Sequence, residues 1–394
     1  MQLRSIDVTD IRSANGTATG LPLAEEVLES LRPNIETQLV SEEGYATVQW
    51  NKKIPTSILY EGRGIDLYER ITQDPAYYLY NDELSIFKKY ASEMATLLLQ
   101  FSTSDRPQRP KQTRPVHLTL IDLGAGRLDK SQCLLDAMSD NTKLGQSLDN
   151  VGPSVAYYAV DMQHEQLRQR ISRLVEQRPH FAKDHPRDVQ HCKVTVHGIC
   201  GSYHDTIDYM RAGKLDQEDV RRPRTVQAQA AKFLRQFSRD GIMQAEDFML
   251  VGIDRCRDSM KVKAAYNERS KCWQDYVLNG VSTAADLTDL PELYSSRDDW
   301  EYVARWDADQ GRHVRFARSS RHRSLSADIE IQEGEHVFLA QSYKYTTEDA
   351  ECVFRAAGLQ TVYNWVNDSD DCSIFLLRKP HPTVLQQSAH DMRV

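Results

Sequence analysis

An α/β fold built on a largely parallel sheet is what the middle of this chain predicts. Between residues 117 and 254, short apolar runs of strand length alternate with helical patterns; a glycine turn ends the first run and an aspartate ends the second. Parallel neighbours need crossovers longer than a hairpin, and the intervening helical stretches supply them. At 394 residues the chain can bury a large core and hold one elaborated domain or two.

Taken in order, the first fifty residues are polar and read as a loosely attached lead-in, with one amphipathic piece at LAEEVLESLRPNI. Residues 84–101, LSIFKKYASEMATLLLQF, carry apolar side chains at helical spacing, and SDRPQRPKQTRP after them makes a Pro-rich, basic linker. The strands are then HLTLIDLG (117–124), VAYYAVD (155–161), CKVTVHGIC (192–200) and FMLVGID (248–254), separated by helices such as SQCLLDAM and HEQLRQRISRLVEQ. From 255 to about 342 the pattern is irregular and aromatic. TEDAECVFRAAGL reads as a helix, and QTVYNWVND with CSIFLLRK as a hairpin that closes the sheet. The expected division is a lead-in (1–50), a sheet domain (51–254 with 343–380), an accessory domain (255–342) and a tail (381–394).

Composition narrows the partners. A net charge of −8 lacks the basic field of a nucleic-acid binder. Residues 221–237, RRPRTVQAQAAKFLRQF, are locally basic but read as solvated surface. Seven cysteines without a CxxC pair suggest neither a disulfide framework nor a metal knuckle, and they fit a reducing compartment. No stretch approaches a membrane span and the start has no apolar signal region, so the expectation is a cytoplasmic protein that binds neither membrane nor nucleic acid, as a monomer or weak homodimer.

The sharpest local signal is LIDLGAGRLDK, residues 120–130. Gly124 and Gly126 let the backbone turn and a ligand approach it closely. The third glycine of a dinucleotide fingerprint is absent, and Asp161 closes the next strand, where a carboxylate can accept both hydroxyls of a ribose. An adenosine without phosphates fits, as in S-adenosylmethionine (SAM). A glycine turn and a capping aspartate in an unrelated α/β domain would read alike. Ser202 and Tyr203 in GICGSYHD stand at the third strand end, beside an adenine or simply in a core.

The order of segments resembles the histidine-specific, SAM-dependent N-methyltransferases of ergothioneine synthesis, and especially fungal relatives that methylate dimethylallyltryptophan. The resemblance spans roughly residues 52–380 and is carried by IPTSILYEGRGIDLYERITQDPAYYLYNDE, LIDLGAGRLDKSQCLLDAM, YYAVD, LVGIDRCRDSMKVKAAYNE, YVLNGV and GEHVFLAQSYKY. It implies a Rossmann-like class I methyltransferase sheet with an inserted domain that grips an amino acid. By position it implies SAM contacts at Gly124, Gly126, Lys130, Asp161, Ser202 and Tyr203. It also implies an amino-acid pocket at Tyr60, Tyr77 and Tyr266, with Tyr60 and Tyr266 orienting the amine, and with Phe316 and Ser342 on the side-chain end.

Two departures from the family pattern stand out. Ala340 occupies the position of a glutamate that recognises imidazole, and losing that partner costs on the order of 1–3 kcal/mol of discrimination. The resemblance therefore implies an aromatic, indole-type substrate such as a prenylated tryptophan, in fungal alkaloid biosynthesis. The basic run also leads straight into a helix where the family has a central strand and an asparagine turn, so one central strand is expected to be missing. A catalytically impaired member that binds SAM or a metabolite, or that scaffolds a partner, stays open on that account.

Overall fold

The computed structural model describes residues 8–12, 22–32, 52–104, 117–140, 153–183, 192–213, 224–227, 231–239 and 242–380. The chain divides into two compact units: Met1–Gly16 with Asp82–Arg255 and Tyr345–Val394, and Thr17–Asn81 with Cys256–Lys344.

In the first unit the sheet contains β1 (Val8–Asp10), β2 (His117–Leu123), β3 (Ser154–Asp161), β4 (Lys193–Cys200), β5 (Arg224–Gln227) and β6 (Phe248–Asp254). Between β6 and the last two sheet strands the chain forms the second unit's β7 (Trp300–Asp307), β8 (Arg312–Ser319), β9 (Arg323–Ser324), β10 (Glu330–Ile331) and β11 (His336–Tyr343), then returns as β12 (Gln360–Val366) and β13 (Cys372–Arg378). The eight strands of the first unit lie in the order β1-β4-β3-β2-β5-β6-β13-β12. All neighbours from β1 to β6 are parallel, while β13 is antiparallel to both β6 and β12. Central strands covered on both faces need continuous rather than alternating apolar character, which is why HLTLIDL and FMLVGID read clearly as strands.

The central strand expected to be missing is present. The basic stretch itself supplies it: Arg224–Gln227 pairs with Thr119–Asp122 on one side, and Thr225–Gln227 pairs with Phe248–Leu250 on the other. Four residues, RTVQ, have no apolar run to announce a strand, yet two flanking strands with unpaired backbone groups need a partner at this position. The short α7 (Ala231–Arg239) follows. The counterpart of the asparagine turn, residues 228–230, falls outside the described residues, as do the linker at 105–115 and the tail at 381–394.

The lead-in is also more integrated than its polarity suggests. Val8–Asp10 extends the sheet beside Gly198–Cys200, where Gly198 leaves room because an added Cβ would come within 2.8 Å of Val8 Cγ2. In the second unit, α1 (Leu23–Leu31) buries Val27 and Leu31 in the core. Residues 51–81, expected in the sheet domain, pack into this unit too, because Ile54, Ile58, Leu59, Leu67, Ile71 and Tyr77 all bury in its core.

The second unit contains a three-stranded antiparallel sheet, β11-β8-β7, and helices α2 (Gly64–Thr72), α8 (Ser259–Ala265) and α9 (Lys271–Thr288). Gly280 on α9 admits the turn at Thr56–Tyr60: a Cβ there would sit 2.6 Å from Leu59 Cδ2. Thr56 Oγ1 fixes the same turn by donating to the Leu339 carbonyl at 2.7 Å. Among the described residues, no helix is long and apolar enough to cross a membrane.

Because β5 pairs on both sides, Val226→Pro removes a ladder donor from the middle of the sheet. It should destabilise the fold by about 3 kcal/mol or more in urea unfolding. An unchanged midpoint would mean that this segment does not complete the sheet.

Candidate functional site

The first unit carries a candidate nucleoside site. The turn after β2 is held in left-handed conformations at Gly124 (φ 70°), Gly126 (φ 53°) and Leu128 (φ 65°), before α4 (Asp129–Ser139) begins. The amides of Gly124 and Ala125 both donate to the Val160 carbonyl at 3.0 Å, tying the turn to the end of β3. A side chain at 124 would clash with the turn's own cover, since its Cβ would lie 2.6 Å from the Tyr203 hydroxyl.

Asp161 sits beside this turn. Its Oδ2 accepts from the Gly126 amide at 3.1 Å and its Oδ1 from the Met162 amide at 2.8 Å, with Arg170 Nη1 at 3.8 Å from Oδ2. A carboxylate has about four lone-pair sites, so acceptor capacity for ribose hydroxyls remains. A cradle that a Cβ would fill, next to a carboxylate with spare acceptors, fits the nucleoside end of SAM.

Two residues expected to touch the cofactor have local duties. Ser202 caps α6 (Tyr203–Arg211): its Oγ accepts from the Asp205 amide at 3.1 Å and its own amide donates to Asp205 Oδ2 at 2.9 Å, a reciprocal capping box. Lys130 donates to Glu83 Oε2 at 2.6 Å, and Glu83 in turn lies against Gly252, where a Cβ would meet its Oε1 at 2.5 Å. Burial opposes the Lys130 charge, but Glu83 outweighs it and holds the ammonium pKa above its ordinary value. Tyr203 stays exposed at the rim of the turn.

Asp122 is a residue the sequence reading missed. It is buried next to the turn, accepts from the Tyr157 hydroxyl at 2.7 Å and also bonds Ser131. Burial raises its pKa, against the lowering effect of those two donors. The sequence clue was its place two residues before Gly124, a charged residue within the strand HLTLIDL.

The second unit carries a cage of aromatic residues. Tyr60 ends the Thr56–Tyr60 turn, Tyr77 follows a turn in which Asp74 Oδ1 accepts from the Ala76 amide, and Tyr266 sits just past α8. The structure brings all three together with Tyr68, Trp273 and Tyr276. Edge-to-face contacts link Tyr60 to Tyr68 and Tyr276, at centroid distances of 5.9 and 6.3 Å, and Tyr77 to Tyr266 at 5.8 Å. Tyr68 shares a hydroxyl contact of 3.2 Å with Tyr77. Trp273 Nε1 donates to the Ala265 carbonyl at 2.7 Å and the Tyr302 hydroxyl to the Tyr266 carbonyl at 3.2 Å, which fixes the backbone around Tyr266.

Electrostatics in this cage run one way. Burial pushes the phenols of Tyr77 and Tyr276 well above their ordinary pKa, so both are neutral at physiological pH. His313 stacks on Tyr266 at 4.2 Å, and burial, with Arg315 and Lys344 nearby, pushes its pKa down to about 2. Lys344 Nζ donates to the Tyr266 hydroxyl at 2.9 Å. Lysine has no acceptor, so Tyr266 must accept there and its own proton is left to donate.

Phe316 does not join the cage. Successive strand residues face opposite sides, and Phe316 packs against His336 and Phe338 at centroid distances of 5.6 and 6.1 Å. Its neighbour Arg315 faces the tyrosines instead. Ala340 pairs directly with Arg315 across β8 and β11, after a bulge between Phe338 and Ala340, and Ser342 pairs with His313. Ala340 and Ser342 therefore lie on the cage side, as expected, but the side chain between them and the rings is an arginine that the sequence reading passed over.

Comparisons with known proteins cover most of the chain. The ergothioneine biosynthesis protein 1 of Neurospora crassa is 28% identical over 98% of this chain and 39% of its own length. The 4-dimethylallyltryptophan N-methyltransferase easF of Aspergillus fumigatus is 23% identical over 96% of this chain and 99% of its own. The L-tryptophan methyltransferase trpM of Psilocybe serbica is 25% identical over 85% and 91%. The chain spans about two fifths of the length of the two ergothioneine biosynthesis proteins it matches. Residues 24–379, which take in both the glycine turn and the tyrosine cage, match one family over their whole extent, and the chain belongs to the histidine-specific, SAM-dependent methyltransferases.

Proposed function

We propose that this chain transfers a methyl group from SAM to the α-amino group of an aromatic amino acid, indole-type and including prenylated tryptophan, in fungal secondary metabolism and alkaloid biosynthesis. The observation that carries the reading is the tyrosine and tryptophan cage walled by Ala340, where an imidazole would find no acidic partner. Relatives with tryptophan-derived substrates in their names support it; those named for ergothioneine make histidine the competing substrate.

SAM, when bound, supplies an electrophilic methyl on a sulfonium. What the chain adds is position and charge. Gly124 and Gly126 keep the turn free of side chains, and Asp161 offers acceptors for the ribose hydroxyls. The amine must arrive neutral, with its lone pair directed at the methyl. Arg315 and Lys344 beside Tyr266 favour that state, because two cations lower the pKa of a neighbouring ammonium. Tyr60 and Tyr266 orient the amine through hydroxyls that add no charge. The alternative of an impaired scaffold protein rested on a lost central strand and asparagine turn; β5 supplies the strand, and the counterpart of the turn lies outside the described residues.

Two experiments follow. Calorimetry should find SAM binding weakened roughly 10- to 100-fold in Asp161→Ala, which deletes an ionised acceptor, and at least as much in Gly124→Val; unchanged affinity in both would remove the cofactor assignment. For substrate choice, competition assays should find tryptophan-type acceptors methylated ahead of histidine. A glutamate at 340 would face Arg315 and be neutralised by it, so Ala340→Glu alone should move the ratio little. Ala340→Glu with Arg315→Met should move it toward histidine by roughly 10-fold or more. A native preference for histidine would overturn this reading of the pocket.

A further inference from the structure

Arg315 is a buried cation with no counter-charge. It is 8% exposed, and among the described residues no carboxylate pairs with it. Its Nη2 donates to Ser342 Oγ at 3.2 Å, while its Nε is buried without a hydrogen-bond partner. The guanidinium carbon lies 5.3 Å from the ring centroids of both Tyr266 and Trp273, so aromatic faces stand where an acid would be expected. Directly across the sheet, Ala340 offers only a methyl group.

Arginine stays charged at any physiological pH, and its five N–H groups form a planar fork matched to a carboxylate. Burying such a group without a partner is costly, and a bound anion would remove the cost. Tyr266 adds a second donor on the same cage, since Lys344 obliges its hydroxyl to accept on one side and leaves its proton for an acceptor on the other. Burial raises the Tyr77 and Tyr276 phenols well above their ordinary pKa, so neither supplies the missing charge.

We propose that Arg315, with Ser342 orienting it and Tyr266 beside it, is the carboxylate-binding residue of the amino-acid pocket. This rests on the reading of that pocket as an amino-acid site. The carboxylate has two possible sources in an amino acid, the α-carboxylate or an acidic side chain, and one fork serves either. Binding leaves every bond in the ligand intact and gives the guanidinium a charge-assisted partner.

The test is binding rather than turnover. The full chain and Arg315→Met are titrated calorimetrically with tryptophan, tryptophanamide and indole-3-propionate, and with the α-amides of glutamate and glutamine. Indole-3-propionate has no amine to methylate, so its binding reads Arg315 even if methyl transfer to amino acids is never detected. Wild type should prefer an acid over its amide by roughly 30-fold or more, and Arg315→Met should erase that preference. Tryptophan and indole-3-propionate above tryptophanamide identify the α-carboxylate; glutamate α-amide above glutamine α-amide identifies a side chain. Melting provides a second readout: carboxylates should raise the melting temperature of wild type only, and ligand-free Arg315→Met should melt no lower than wild type. No acid preference in wild type, or a preference that survives Arg315→Met, overturns the proposal. An Arg315→Met chain that fails to fold, beside a wild type that no acid stabilises, overturns it as well.

Discussion

A guanidinium held among aromatic rings without an opposing carboxylate sets the terms for the second unit. Removing such a charge from water costs several kcal/mol, and ring faces at 5.3 Å return only part of it. The surroundings are arranged to tolerate the charge without cancelling it. The Tyr77 and Tyr276 phenols are kept neutral by burial, His313 is kept neutral by burial and by the nearby cations, and the residue paired with Arg315 across the sheet is Ala340, which carries no charge. The alternation of β8 makes this possible: His313 and Arg315 face the cage, while Val314 and Phe316 face the other side.

The first unit solves a different problem with backbone rather than charge. Left-handed conformations at Gly124, Gly126 and Leu128 shape the turn after β2, and Asp161 at the end of β3 ties it down through the Gly126 amide. The contacts with the Gly126 and Met162 amides leave lone pairs on this carboxylate, so the side chain that ties the turn keeps acceptor capacity. Asp122, buried one turn away with Tyr157 and Ser131, braces the strand from below.

The strands with long apolar runs were legible to within a residue because burial on both faces leaves a continuous signature. Arg224–Gln227 was not, since a four-residue strand is defined by the ladders on either side of it and not by its own composition. Val8–Asp10, three residues paired with β4 on one side only, likewise has too short a run to announce a strand. In the site, Tyr60, Tyr77 and Tyr266 do gather, and the segment quoted around each could indicate this. Phe316 and Arg315 differ by one position along a strand, and a one-residue error in register changes which face a side chain occupies. Ser202 could not be separated from a helix cap by sequence alone, because Ser-x-x-Asp before a helix satisfies both readings.

The central claim is that the chain methylates the α-amine of an aromatic amino acid with SAM as donor. The most direct measurement is mass spectrometry after incubation with methyl-labelled SAM and an equimolar mixture of histidine, tryptophan, dimethylallyltryptophan and the other common amino acids. The account predicts label on the α-nitrogen of a tryptophan-type acceptor ahead of histidine. Label on histidine first, or on none of the amino acids while SAM still binds, would contradict it.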